Sequence, residues 1–444
     1  MAEMPARHGF LNPLNIPFVF VTVKNVNAGK CEDKAMMNET LLFDSLSNPV
    51  PELRRDVQII PVTDNGQDLL YFHDMMGYSS PNFALDRKIE PILSLFNGQY
   101  GIKQISTMLN NSIKADDLLD FVQLLDQHRL LNSKHFRLFS NRIEKDFEAS
   151  NTRKSALAGE SYPDHPAELN TFMESLMSEV TSLKSAPEKA LYAPHIDLRV
   201  GNKQYAEAFS GLKSLRPKRV VILATSHYAG NYPDIYEASP YIGSVKNYEL
   251  PGMTFQTDQS YIEKLNKSAS QTGFTLSDRA HRVEHSIELH LLFAGHIWQH
   301  DFQIVPILVA GIDDLLYHSE GNIGAKTDGF AKLLHDLDDE DTFYLVSGDL
   351  SHVGKKFGDP LAASQLRDDV ELSDRLFIDA AISGRAQLLL DQVATDYDAT
   401  RICGFPPLYT FLSAFPKTKG ELINYHWWDE TERESAVSFG SIYY

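Results

Sequence analysis

The chain has 444 residues, 43% of them hydrophobic and 23% charged, with a formal net charge of −19. That length exceeds one ordinary core and predicts two domains, and the composition is globular rather than disordered. The negative charge excludes nucleic-acid backbones and anionic membranes as main partners, and two cysteines, Cys31 and Cys403, are too few for the disulfide framework of a secreted chain.

The opening MAEMPARHGFLNPLN lacks the charged-then-apolar layout of a signal peptide. The apolar run Pro17 to Val23 is too short to span a bilayer and reads as a strand. Both observations place the protein in the cytoplasm. Residues 1–140 read as a first domain. The runs Val57 to Pro61 and Leu69 to Phe72 flank Asp64-Asn65-Gly66, a hairpin signal. Three helical patterns follow, carrying Ile89, Ile92, Leu93 and Leu95, then Ile102, Ile105 and Leu109, then Leu118, Phe121, Val122 and Leu125. A hairpin with three short helices is the layout of a winged helix. The stretch Ile92 to Leu131 also resembles PqqD-like peptide-recognition domains in its apolar cadence. The third helix carries Asp116, Asp117, Asp120 and Asp126, so protein contact suits it better than DNA.

Residues 141–155 are polar and read as a linker. Residues 156–444 then alternate. Strands are predicted at Ala190 to Pro194, Arg219 to Ala224, Gln303 to Val309 and Phe343 to Ser347. Helices are predicted near Leu169 to Leu183, Asn202 to Leu212, Gln259 to Ser268, Glu284 to Trp298 and Thr327 to Leu337. This pattern predicts an α/β domain with a mostly parallel sheet and helices on both faces. Late runs at Glu421 to Tyr425 and Val437 to Tyr444 add edge or antiparallel strands.

Chemistry-bearing residues follow the strands. His195 comes after the first, His227 after the second, Asp349 and His352 after the fourth. Ligands of open α/β sheets bind outside the carboxyl ends of strands. A lone loop histidine is usually a hydrogen-bonding residue, but here three strands deliver imidazole or carboxylate to one edge. Cys403 precedes the apolar helix pattern Leu408 to Phe415, where a helix N-terminus lowers a thiol pKa. Two imidazoles and a thiolate suit Fe(II), Cu or Zn and suit Mg or Ca poorly. Asp349 serves as a fourth ligand or as an orienting group. His285 and Glu288 are three apart at a helix start, so they share a face and can act as an acid/base group with its orienting carboxylate; a surface hydrogen bond is the plainer reading. His290 and His296 are placed on the outer face.

Seven segments resemble the Memo family, also called AmmeMemoRadiSam system protein B. They are Ala158-Gly159-Glu160-Ser161-Tyr162-Pro163, Pro194-His195, Ser226-His227, Arg282-Val283-Glu284-His285-Ser286-Ile287-Glu288, Gln303 to Val309, Ser347-Gly348-Asp349-Leu350-Ser351-His352 and Ile402-Cys403-Gly404. The chain departs from the family at Tyr228, where a second histidine is usual, and at Ala224-Thr225 and Ile196-Asp197-Leu198. The resemblance implies a fold similar to class III extradiol dioxygenases and a pocket with His195, His227 and Cys403 as metal ligands. It places Asp349, His352 and His285 beside them as the catalytic groups. It also implies an Fe(II)- or Cu-dependent oxidase or dioxygenase-like enzyme, with Zn as a further fit. The implied partners are a radical SAM enzyme and an AMMECR1-like protein. The alternative reading is a non-catalytic scaffold that binds a peptide in the same pocket.

Overall fold

The structure, a computed structural model, describes residues 41–180, 185–318 and 321–444. The run Pro17 to Val23 and Cys31 lie outside them. The chain divides into two compact units between Asp146 and Phe147. No helix among the described residues is long and apolar enough to cross a membrane.

In the first unit, β1 (Val57–Asp64) and β2 (Gln67–Asp74) pair as an antiparallel hairpin, and β3 (Ala84–Asp86) adds to β2. Asn65 and Gly66 both take positive φ, 48° and 76°. That is the turn whose twist matches a two-residue hairpin. Helices Ile102–Met108 and Ala115–Gln127 cover the sheet, and Leu70, Phe72, Ile105, Phe121 and Leu125 meet in its core.

The stretch 141–155, expected as a linker, holds the end of helix Lys134–Ala149 and all of β4 (Thr152–Lys154). β4 joins the sheet of the second unit through its parallel pairing with β8 (Asn247–Leu250). Polarity misleads here because Arg153 is wholly buried, with its charge matched inside the protein.

The second unit is built on β5 (Ala190–Ala193), β6 (Arg219–Thr225), β7 (Tyr241–Gly243), β8, β9 (Met253–Thr257), β10 (Phe274–Thr275), β11 (Gln303–Val309), β12 (Thr342–Ser347), β13 (His352–Gly354), β14 (Glu421–Glu430) and β15 (Ser435–Tyr443). The strand order is β13-β15-β5-β12-β6-β11-β9-β8-β4. β5, β12, β6 and β11 run parallel. Beyond β11 the sheet forks: β9 pairs with Gln303 and Ile304, while β7 runs antiparallel to Ile307, Leu308 and Val309. Both late strands are antiparallel, one of the two placements expected of them, but β15 is not an edge. It lies between β5 and β13 and also pairs with β14.

Side chains of a strand alternate between faces. Val220, Ile222 and Ala224 of β6 pack with helices Leu198–Ser210 and Ser286–Ile297. Val221 and Leu223 pack on the other face with helices Asn322–Asp336 and Phe405–Ala414. Both faces are covered, which is why the central strands read as continuous apolar runs.

Candidate metal-binding pocket

β5, β12 and β6 are neighbours, and Ser347 is level with Ala193 on one side and Ala224 on the other. The chain therefore leaves three adjacent parallel strands at one height. His195 lies two residues past β5, Asp349 two past β12 and His227 two past β6. Cys403 arrives from the loop before helix Phe405–Ala414. Its approach depends on two glycines whose backbones touch. A Cβ on Gly348 would fall on the Gly404 backbone, and a Cβ on Gly404 would fall on the Tyr192 hydroxyl and lie 2.8 Å from the Asp349 carbonyl.

His195 is buried and held on every side. Its backbone N–H donates to Asp349 Oδ1 at 2.9 Å, as does that of Ile196 at 3.2 Å. Ser347 Oγ donates its hydrogen to the Ser286 carbonyl at 2.7 Å. It can therefore only accept from the ring, so the contact with His195 Nδ1 at 3.2 Å puts the ring hydrogen on Nδ1. Nε2 is left with its lone pair. Cys403 Sγ lies 3.3 Å from that atom and Asp349 Oδ2 lies 3.7 Å from it.

His227 is anchored by Glu284. The carboxylate accepts the His227 backbone N–H at 2.8 Å and meets Nδ1 at 2.9 Å. A carboxylate on one imidazole nitrogen directs the other toward a ligand. His285 packs against both rings, with centroids 4.9 Å from His227 and 5.4 Å from His195. Two groups bring ligand atoms within 4.8 Å of one another: His195 with His227 and His285, and His195 with Asp349 and Cys403. The expected set of His195, His227 and Cys403 is thus divided between two groups that share His195.

The electrostatics follow from burial. Burial, then the other imidazoles, holds His195 well below the ordinary imidazole value. Burial lowers His285 and His352 to about 4 each. Burial opposes charge on His227 too, but Glu284 outweighs it and raises that ring. Glu284, which burial would raise, is brought down to about 2 by His227 first. Asp349 is raised to about 7 by burial. Cys403 runs against expectation: burial and the nearby Asp349 push its thiol well above the usual value, whatever the helix start contributes. A metal ion at the thiol reverses that balance, because a coordinating thiol is deprotonated outright. His352 is half-buried. Its Nδ1 is 3.0 Å from the Arg401 carbonyl, which puts the hydrogen there and leaves Nε2 as acceptor.

Two expectations are corrected. Glu288 does not orient His285. It is buried and paired with Arg153, and it accepts from Tyr162 and from the Ala156 and Leu157 amides. The carboxylate beside His285 is Glu284, with Oε1 3.4 Å from Nδ1. His290 is buried rather than outward. Its Nε2 meets the Pro194 carbonyl at 2.9 Å, one residue before His195, because residues Ser286–Ala294 are buried on every side of the helix. His296 is half-buried. Glu284, Ser347 and Ser286 were missed as functional residues. Glu284 left one signal, an acid directly before a histidine at a helix start.

The family described as Memo-like protein matches residues 153–443. A MEMO1 family protein of Aquifex aeolicus is 25% identical over 390 residues, covering 85% of this chain and 96% of its own. Such an alignment is longer than 153–443, so it extends into the first unit. A second MEMO1 family protein of that organism, 25% identical, covers 62% of this chain and 91% of its own. A third, from Thermus thermophilus, is 23% identical and covers 74% and 93%.

Proposed function

The chain belongs to the Memo-like family, and on that premise we propose that it holds a divalent transition-metal ion at the ends of β5 and β6 and works as a metal-dependent redox enzyme. His195, His227 and Cys403 are the proposed ligands, with Asp349 alongside. The observation that carries this reading is the state of the two imidazoles. Each has Nδ1 committed, to Ser347 or to Glu284, which leaves Nε2 as the lone-pair nitrogen of each ring, that of His195 facing Cys403 Sγ at 3.3 Å. Ligand histidines are typically fixed in this way through their other nitrogen.

The donor set fits Fe(II), Cu or Zn. Imidazole and thiolate are borderline to soft, and hard Mg or Ca would find one carboxylate. Bound there, Fe or Cu supplies electron-transfer and oxygen chemistry. The remaining work falls to this chain. His352 Nε2 accepts a proton, its ring steered by the Arg401 carbonyl. Asp349 accepts the His195 and Ile196 amides through Oδ1 and keeps Oδ2 3.7 Å from His195 Nε2, which positions that ring.

Elemental analysis of protein purified without chelators tests this reading. The expected result is about one equivalent of Fe or Cu per chain, lost when His195→Ala and Cys403→Ala are combined. Protein that retains no ion after incubation with either metal overturns it. Metal-free protein that still binds a phosphotyrosine peptide supports a scaffold instead. Zinc content without oxygen consumption supports hydrolysis.

A further inference from the structure

His290 lies behind His195, inside the core. It is wholly buried, and its ring stands edge-on to that of Phe209 at 5.5 Å. Burial lowers it to about 4, so the ring is neutral and carries one hydrogen. Nε2 meets the Pro194 carbonyl at 2.9 Å, and a carbonyl can only accept, so the hydrogen is on Nε2. Nδ1 then holds a lone pair, and that atom has no partner among the described residues. A buried acceptor left unpaired costs stability. The one bond the ring makes goes to the residue before His195.

The segment from Pro194 to Ile196 has left the sheet, and side chains of other elements take up its backbone. His290 takes the Pro194 carbonyl, and the buried Tyr205 hydroxyl takes the Ile196 carbonyl at 2.9 Å. Asp349 Oδ1 takes the His195 and Ile196 amides. Helix Ser286–Ile297 also holds the His195 ring. Ser286 and His290 are four apart and share a face of that helix. The Ser286 carbonyl accepts from Ser347 Oγ, which accepts from His195 Nδ1. One helix therefore sets the backbone at His195 through His290 and its ring through Ser286. The bond to Ser347 is already 3.2 Å long, and about 0.4 Å more would end it.

We propose that His290 is a positioning residue: from the core it fixes the height of His195 against Ser347 and so keeps that ring in the tautomer whose lone-pair Nε2 faces Cys403. His290 itself touches no ligand. This deepens the metal-binding reading above and rests on it for what the ring is held ready to do.

The test reads the imidazole nitrogens of the full, metal-free chain by NMR after histidine labelling, with His195→Gln assigning the His195 signals, and then Co(II) affinity by equilibrium dialysis. His290→Gln keeps a donor near the Nε2 position. His290→Leu removes it, and His290→Asn carries an amide too short to reach. Wild type and His290→Gln are expected to show His195 in one tautomer, with its hydrogen on Nδ1. His290→Leu and His290→Asn are expected to show both tautomers and to hold Co(II) about 10–100-fold more weakly, the range typical of groups behind a metal ligand. Either variant keeping the single tautomer, or losing it with Co(II) affinity unchanged, overturns the inference. Unfolding of both overturns it too, since the ring then serves the core alone, as does loss of the tautomer in His290→Gln. Wild-type chain that takes up no Co(II) overturns the metal reading, while the ring signals still decide whether His290 positions His195.

Discussion

Glu284 is a buried carboxylate set among imidazoles, and its negative charge touches both His227 and His285. Glu284→Gln keeps the shape and removes the charge. Changes of this kind behind a metal ligand typically cost about 10–100-fold in affinity, and a competition titration against a chromophoric chelator should show a loss in that range. Gly404→Ala is the second residue-scale prediction. The added methyl meets the Tyr192 hydroxyl and the Asp349 carbonyl. Overpacking of this kind costs about 1–3 kcal/mol, readable by denaturant unfolding, and the displaced Cys403 should lower the metal content found by elemental analysis. Sequence reading set His195, His227 and Asp349 at strand ends and Cys403 before a helix, as the structure has them, because strand ends and helix starts are visible in apolar patterning. It missed Glu284 because the partner that reveals its role, His227, is 57 residues away. It misplaced His290 because one imidazole in a helix reads as polar, although here both ends of the ring lie inside the core.

β4 is three residues long, paired along its length with β8 and tied into the interior by one side chain. Arg153 donates to the His281 carbonyl at 3.1 Å and to the Glu284 carbonyl, and pairs with Glu288. Removing one partner of a buried ion pair costs about 3–5 kcal/mol, because the other charge is left stranded. Arg153→Ala should therefore destabilise the second unit by about that much in urea unfolding. Arg153→Leu combined with Glu288→Leu should cost less than the two single changes added together. Most elements of this unit were legible. β6, β11 and β12 match their apolar runs within a residue, because burial on two faces leaves little room for polar residues. β4 was not legible, since a charged strand inside a protein looks like a loop until its counter-charge is known. The place of β15 was also hidden. It pairs with β5 across some 250 residues of chain, and no local pattern encodes a contact at that distance.

At the scale of the molecule, two units carry separate cores, and the first has its own buried ion pair. Arg54 Nη1 donates to Asp74 at 2.8 Å and Nε to Asp56 at 3.1 Å. Burial would raise the Asp74 carboxyl, but Arg54 and the Ser79 and Met76 amides outweigh it and hold it below its ordinary value. The sign follows. A depressed folded pKa stabilises above the unfolded value of ~3.9 and loses that contribution as pH falls through the folded value. Asp74→Asn should thus destabilise the first unit by a constant amount near neutral pH. The gap from wild type should narrow below about pH 4, as denaturant melts at stepped pH would show. Two domains and an α/β architecture were readable from length and alternation. The forked sheet was not, because β7 and β9 share one neighbour over different residues. The pocket stands on strands interior to the sheet. Amides beneath it, such as that of Gly348 bound to the Ala193 carbonyl, should keep their protium in heavy water long after the loops around Tyr317 and Tyr397, both more than half exposed, have exchanged. The frame that spaces His195 from Asp349 should then hold its dimensions while exposed segments of the same unit fluctuate.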